Sequence, residues 1–352
     1  MKNAEAPPES DACDDAPHPR ETRALFGHGA AEADLLGALR QGRMPQALLI
    51  GGPEGIGKAT LAWRLARFVL AFPEAGEAAS LNVPDSHPAA RRIAAQSHAD
   101  LALLRREWND KASPKRHFTE IRVDDVRRMQ GMFQQAAAAG GWRVCIVDAA
   151  DDLNRNAANA LLKLIEEPPP RSLFLLVAHR PGQVIPTIRS RCRKLMLGAP
   201  GEADVVRAVR AMPGAAPESE VARAAARAGG SVREALRLLA GGALALDGGI
   251  ERQLNALPRV DWRAVHALAD GLTGREQERA FDTFVRAVFG WLSRSVREGA
   301  QAGAHLAPLA EVYETLHERT REAQALNLDK RALVLSIFAD LSQAAAAARR
   351  AN

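Results

Sequence analysis

The run Gly52-Pro-Glu-Gly-Ile-Gly-Lys58 lies directly after an apolar stretch, Gln46-Ala-Leu-Leu-Ile50, and directly before Leu61, Leu65, Phe68 and Val69 at helical spacing. A buried strand, a glycine-rich turn and a helix in that order constrain the chain more than anything else in it. They predict a parallel sheet covered by helices on both faces, because only such a sheet buries a continuously apolar strand. The same context is the one a phosphate-binding loop requires. Glycines let backbone N–H groups point inward around phosphate oxygens, the helix N-terminus adds partial positive charge, and the lysine reaches the terminal phosphates. Gly52, Gly55, Gly57 and Lys58 are therefore candidate nucleotide-binding residues.

The residue after the lysine is Ala59, where a working loop carries the Ser or Thr hydroxyl that ligates Mg2+. Thr60 stays a candidate contact, but it is turned by ~100° around the helix and does not replace that ligand. A second site points the same way. Val144-Cys-Ile-Val-Asp148 ends an apolar strand in a carboxylate, the form of a strand that holds Mg2+ through an Asp. Asp148 as a simple loop cap is the alternative. Ala149 stands where hydrolytic enzymes of this kind carry a Glu that polarises water, and Asp151 and Asp152 read as surface or capping groups.

Leu173–Ala178 is a further buried-strand candidate, and Ala157–Glu167 a helix that Pro168-Pro-Pro170 must stop. Four segments follow: a disordered tail over 1–22, rich in Pro and acidic residues; an α/β domain over 23–200; a small helical domain over 201–245; and an all-helical domain over 246–352. In the last of these, Phe281, Phe284, Val285, Val288, Phe289 and Leu292 define one amphipathic helix. Leu309, Val312 and Leu316 define a second, and Leu333, Val334, Ile337, Phe338 and Leu341 a third. Ala344–Ala348 reads as a fraying helix end. Over 73–122 the sequence leaves the fold open, apart from an exposed loop or hairpin at Trp108–Pro114.

Composition excludes several classes. No apolar run approaches the ~20 residues of a membrane helix, and Met1–Glu21 lacks the apolar core of a secretory signal. Cys13, Cys145 and Cys192 form no CxxC pair, so neither a disulfide framework nor a Cys-rich zinc site is supported, and a cytoplasmic setting fits best. A net charge of +5 at pH 7 invites a nucleic-acid reading. Most of the 47 basic residues are Arg, which codon bias explains equally well, and the five Trp are dispersed, so no aromatic platform for single strands emerges. No Ser-His-Asp or Cys-His arrangement has positional support.

Together, Leu25-Phe-Gly-His28, Arg43–Gly52, Val147-Asp-Ala-Ala-Asp151, Asn156–Pro169 with its Leu-Leu-Lys-x-x-Glu-Glu-Pro-Pro run, and Pro186-Thr-Ile-Arg-Ser-Arg-Cys192 resemble the clamp-loader branch of the AAA+ ATPases. The resemblance covers roughly Leu25–Leu239 and extends more weakly, through Asn327-Leu-Asp-Lys330, into the helical remainder. It implies an α/β RecA-like AAA+ core with a parallel sheet, a small helical lid and an all-α C-terminal collar domain. It also implies a pentamer with other loader subunits (delta and gamma/tau) that places a sliding clamp on primed DNA, with no membrane involved.

Within that resemblance Arg191, in Ser190-Arg-Cys192, matches an arginine finger offered in trans to a neighbour's ATP site, and Arg233 in Gly230-Ser-Val-Arg233 matches the lid's sensor arginine. If the segment is extended, Arg189, Arg191 and Arg193 share one face. The strand-end sensor position holds Ala178 or His179. With Ala59 and Ala149, the chain is expected to lack intrinsic ATPase activity and to need no cofactor, while the loop keeps the means for weak ATP or ADP binding. Many members of the branch carry a four-cysteine zinc module before the Val144 strand. Here there is no Cys between Pro73 and Val144, and His87, His98 and His117 are scattered, so no zinc is expected. An active AAA+ motor subunit and a small-molecule P-loop kinase remain the competing readings. Ala59 with Ala149 argues against the first, and the helical third segment with Ser-Arg-Cys against the second.

Overall fold

Buried on both faces, three apolar runs become the centre of a five-stranded parallel sheet. A computed structural model describes residues 7–12, 16–74, 76, 78–113, 115–134, 141–272, 277–301, 307–326 and 328–351. Cys13, Pro114 and Asn327 lie outside them. The first part of the chain runs α1 (Gly29–Arg40), β1 (Ala47–Gly51), α2 (Lys58–Ala71), α3 (Pro88–Ala94), β2 (Leu101–Leu104), β3 (Trp108–Asn109), β4 (Arg116–His117) and α4 (Val123–Gln134). It continues through β5 (Arg143–Asp148), α5 (Arg155–Glu166), β6 (Ser172–Ala178), α6 (Pro186–Arg191), β7 (Arg193–Met196), α7 (Glu202–Arg210), α8 (Glu218–Arg227) and α9 (Val232–Leu239).

The sheet order is β2-β5-β6-β1-β7, all parallel, with Ala47–Gly51 paired to Phe174–Ala178 on one side and Leu48–Gly51 to Arg193–Met196 on the other. Alternate residues of each strand enter opposite layers. Leu173, Leu175 and Val177 of β6 join the core beneath α1, α2 and α3, while Phe174, Leu176 and Ala178 join the core beneath α4 and α5. This is the RecA-like AAA+ core that the motifs imply.

Two sheet strands escape the sequence reading. β2, Leu-Ala-Leu-Leu, has no β-branched residue and is only half buried over three of its four positions. β7 is an edge strand opening with Arg193 and Lys194, both exposed, which is how an edge avoids unwanted pairing but hides it from an apolar search. The stretch left open resolves into α3, β2 and the β3–β4 hairpin, with Leu81, Val83 and Ile93 anchoring it in the core.

The expected disordered tail needs correcting over its described residues, 7–12 and 16–22. His18 is buried and meets the Trp63 ring edge-on at 5.8 Å. Glu9 pairs with Arg20, and Arg105 bridges Glu9 (3.0 Å) and Asp11 (2.5 Å). Burial opposes ionisation of Glu9, but hydrogen bonds from Arg105, Arg20 and Gln96 outweigh it and hold the carboxyl down at about 2. The charges that read as solvated neutralise one another instead.

By compactness the chain divides into 1–237 and 238–352. The second unit contains α10 (Ala243–Asn255), α11 (Trp262–Gly271), α12 (Glu278–Gln301), α13 (Ala307–Leu326) and α14 (Lys330–Ala351). Its core collects Phe281, Phe284, Val288, Leu292, Leu316 and Phe338 from the three amphipathic stretches. Ala344 and Ala348 are buried within α14, and Arg349 donates to the Leu257 carbonyl at 2.8 Å, so this end is packed rather than frayed. Lys330–Arg350 is long and apolar enough to cross a membrane by length and composition, against the expectation that no run is. Val334, Ile337, Phe338 and Leu341 make it a core helix of this unit.

Candidate nucleotide-binding site

In an open parallel sheet, ligands bind outside the carboxyl ends of the strands, and here those ends gather the candidate residues. The phosphate loop follows β1, Asp148 ends β5, Ala178 and His179 end β6, and Arg105 follows β2. Gly57 (φ 103°) supplies the left-handed turn into α2, a conformation that L side chains rarely adopt. Gly55 (φ 77°) lets the loop touch the start of α9. The Val232 N–H donates to the Gly55 carbonyl at 2.9 Å, and a Cβ on Gly55 would collide with Ser231 and Arg233. Arg233 Nη1 then reaches Glu54 Oε1 at 2.8 Å. The structure thus brings Arg233 to the loop and pairs it with a loop carboxylate.

Lys58 is turned inward. It is 2% exposed, and its ammonium donates to the Pro53 carbonyl at 2.5 Å. Burial pushes its pKa down to about 8 against the pull of Asp148, Glu54 and Asp151. Burial likewise pushes Asp148 up to about 7, helped by the negative charge of Asp11 and opposed by Lys58. Thr60 is half buried on α2. Asp151 is not a surface group. Its side chain is 1% exposed and accepts from the backbone N–H groups of His179 (3.0 Å) and Arg180 (3.2 Å), tying the ends of β5 and β6 together. Burial, then the charge of Lys58, holds His179 below its ordinary value and favours the neutral imidazole.

Sequence reasoning missed three members of this edge. His28, buried, donates from Nε2 to the Ile56 carbonyl at 2.7 Å and braces the loop from the start of α1. Glu54 and Asp151 are the others; all three lie in runs the sequence singled out, Leu25–His28, Gly52–Lys58 and Val147–Asp151, but none was assigned a role in the site. The donor set does not fit a nucleotide-bound Mg2+. Ala59 offers no oxygen, and the one strand-end carboxylate is desolvated beside Lys58. The three histidines of the zinc argument are engaged separately. His87 accepts from Ala89 N, His98 from Asp100 N, and His117 meets the Pro8 carbonyl at 2.9 Å. Glu9, Asp11 and His18 come together, but Arg20 and Arg105 already occupy both carboxylates.

Arg191 lies elsewhere. Residues 186–191 form α6, so the expected extended face is corrected: Arg189 and Arg191 stand ~200° apart around a helix, and only Arg193 is on a strand. The reason is Pro186 at the first helical turn and Ile188 buried beneath it. Since α6 leads into β7, Arg191 sits at the amino edge of the sheet, opposite the phosphate loop. It is 43% exposed, and its guanidinium pairs with Glu166 Oε1, at the end of α5, at 2.6 Å. Arg193 pairs with Asp34 at 2.6 Å. Cys192 and Cys145 are buried; burial raises both thiols, Cys192 to about 11, as inert core groups should be.

A five-stranded parallel sheet with a glycine loop, an inward lysine, a strand-end Asp and an arginine from the following helices defines a P-loop domain of the AAA+ class. Residues 27–200 match the family model described as DNA polymerase III, delta subunit. DNA polymerase III subunit delta' of Pseudomonas aeruginosa is 31% identical over 281 residues, 80% of this chain and 81% of that protein. The Escherichia coli subunit delta' is 32% identical over 168 residues, 48% and 47% of the two chains, and Salmonella typhimurium subunit tau 34% over 166 residues, 47% and 23%. The chain belongs to the DNA polymerase III delta-prime family.

Proposed function

We propose that this chain is the stator of a cytoplasmic clamp loader, a subunit without ATPase activity of its own. It supplies Arg191 in trans to a neighbouring ATPase subunit while the assembly places a sliding clamp on primed DNA. The observation that carries this reading is the paired loss of the metal hydroxyl and the catalytic carboxylate, at Ala59 and Ala149, beside a Lys58 already bonded to Pro53. Phosphoryl transfer depends on positioned charge and metal, so such a site has little to stabilise a transition state with. Arg191 supports the other half of the reading: always charged, planar and exposed, it has the fork geometry that matches phosphate oxygens. The partners are delta and gamma/tau subunits in a hetero-pentamer; no zinc is required, and nucleotide binding is at most weak.

Mixing the chain with those subunits and weighing the products by native mass spectrometry tests the assembly. A stable complex whose ATP hydrolysis rises with clamp and primed DNA is expected. Failure to enter any such complex would sink the proposal.

A further inference from the structure

Beside α2 lies a cavity of about 510 Å3 whose charged lining is Arg23, Glu32, Arg64, Arg67 and Asp85, with Asn82 among them. Leu25 also lines it, and the same side chain approaches Gly57 of the phosphate loop, so the two spaces are neighbours sharing a wall. Arg64 and Arg67, three apart on α2, sit on one helical face. Two of the three guanidiniums are matched. Arg64 Nε bonds Glu32 at 2.6 Å and its Nη2 bonds Asn82 Oδ1 at 2.9 Å, while Arg23 pairs with Asp85 at 2.8 Å.

Arg67 is the exception. It is 2% exposed and donates to the Arg20 carbonyl, but its Nε is buried with no partner, and no carboxylate pairs with it among the described residues. A buried guanidinium with no carboxylate bonded to it is costly, since a charge at a distance offsets desolvation less than a contact ion pair does. Burial and then the like charges of Arg23 and Arg64 push it down to about 10, against the weaker pull of Asp85, whose carboxylate is paired with Arg23.

We propose that this cavity is a binding site for a small phosphate-bearing anion, held by Arg67 at its floor with Arg64 beside it and Arg23 at its rim. Forked guanidinium donors match the oxygens of a phosphate or phosphomonoester, and a dianion supplies the bonded anionic partner that Arg67 lacks among the described residues. The volume exceeds that of a single ion, a water's share of liquid being ~30 Å3, so a phosphomonoester also fits. The site is separate from the phosphate loop and independent of the function proposed above.

The test is calorimetric and thermal titration of the full chain with orthophosphate at constant ionic strength, chloride being the control. One phosphate per chain is expected, with a rise in Tm that chloride does not reproduce. Arg67→Met should abolish that response and raise Tm in phosphate-free buffer, because it removes a buried charge with no carboxylate bonded to it. Lys58→Ala, which disables the neighbouring loop, should leave the response in place. In that variant, competition by AMP assigns a phosphomonoester and its absence the free ion, and either supports the site. Arg23→Ala, at the 41% exposed rim, should weaken phosphate binding several-fold and keeps the test open if Arg67→Met does not fold. Stabilisation equal to that of chloride, a response lost in Lys58→Ala, or an unchanged affinity in Arg23→Ala would overturn the proposal.

Discussion

The two edges of the sheet use their cations in opposite ways. At the carboxyl edge Lys58 is 2% exposed and bonded to its own loop, with Asp148, Glu54 and Asp151 around it. At the amino edge Arg191 is 43% exposed and held by one half-exposed carboxylate, Glu166. An ion pair in that setting is worth only ~0–1 kcal/mol, so Arg191 exchanges partners readily, whereas moving Lys58 breaks a buried arrangement. The difference teaches that a cation's type and motif say little about its availability. Burial and partners decide which of the two can meet a ligand.

The largest effect belongs to the carboxyl edge. The purified chain should release phosphate from ATP at background rate, since a positioned general base alone typically contributes ~10²–10⁴-fold. Turnover that disappears in Lys58→Ala would show that the loop is not retired. At the amino edge, Arg191→Ala should leave the chain folded and able to assemble but lower clamp loading by the complex by about tenfold or more. A finger is worth ~10³–10⁵ at its own site, diluted in a ring with several sites. Arg193→Ala, whose exposed pair with Asp34 is a surface feature, should change loading by no more than about twofold. Equal effects of the two variants would remove the distinction between them.

Asp148 sharpens the contrast through pH. Its folded-state pKa is raised to about 7 from 3.8, so the native state holds this proton more tightly than the unfolded chain. Its contribution to stability is therefore full below about pH 4 and is lost as pH rises through 7. Asp148→Asn has no such loss, so its Tm relative to the unmodified chain should climb by several degrees between pH 5 and pH 7. A constant difference would mean that Asp148 is solvated and the edge more open than its packing implies. The smallest effect belongs to Glu166→Gln, which removes the carboxylate partner of Arg191 while its contact with the Thr187 carbonyl stays. Tm should move by no more than about 2 °C, and stimulated turnover of the complex should rise by no more than about fivefold, the range of one surface ion pair. A large loss of Tm would reveal Arg191 as a structural residue.

Much of the site was legible before any tertiary structure. The glycine loop, Lys58, Asp148 and the two alanines at positions 59 and 149 are local in sequence, because one turn and one strand end create each of them. Strands β1, β5 and β6 were legible too, since burial on both faces writes a continuous apolar run. β2 and β7 were not: at the margins of the sheet, half-burial and edge charge replace that run with a pattern that suits other structures equally well.

The residues along the chain set the chemistry available: which groups stand at the loop, which are missing, and that Arg191 lies in a run of a recognisable kind. Packing sets how those groups are used. It folded Lys58 onto Pro53, put Arg233 against Glu54, and carried Asp151 from a surface position to the joint between β5 and β6. It also turned an acidic, proline-rich tail into a packed segment by bringing Arg105 from a distant strand end to Glu9 and Asp11. Apart from the Lys58–Pro53 bond, which joins residues five apart within one loop, these contacts have one physical reason. Charge and burial act through space, between residues far apart along the chain, whereas a motif records only its own neighbours.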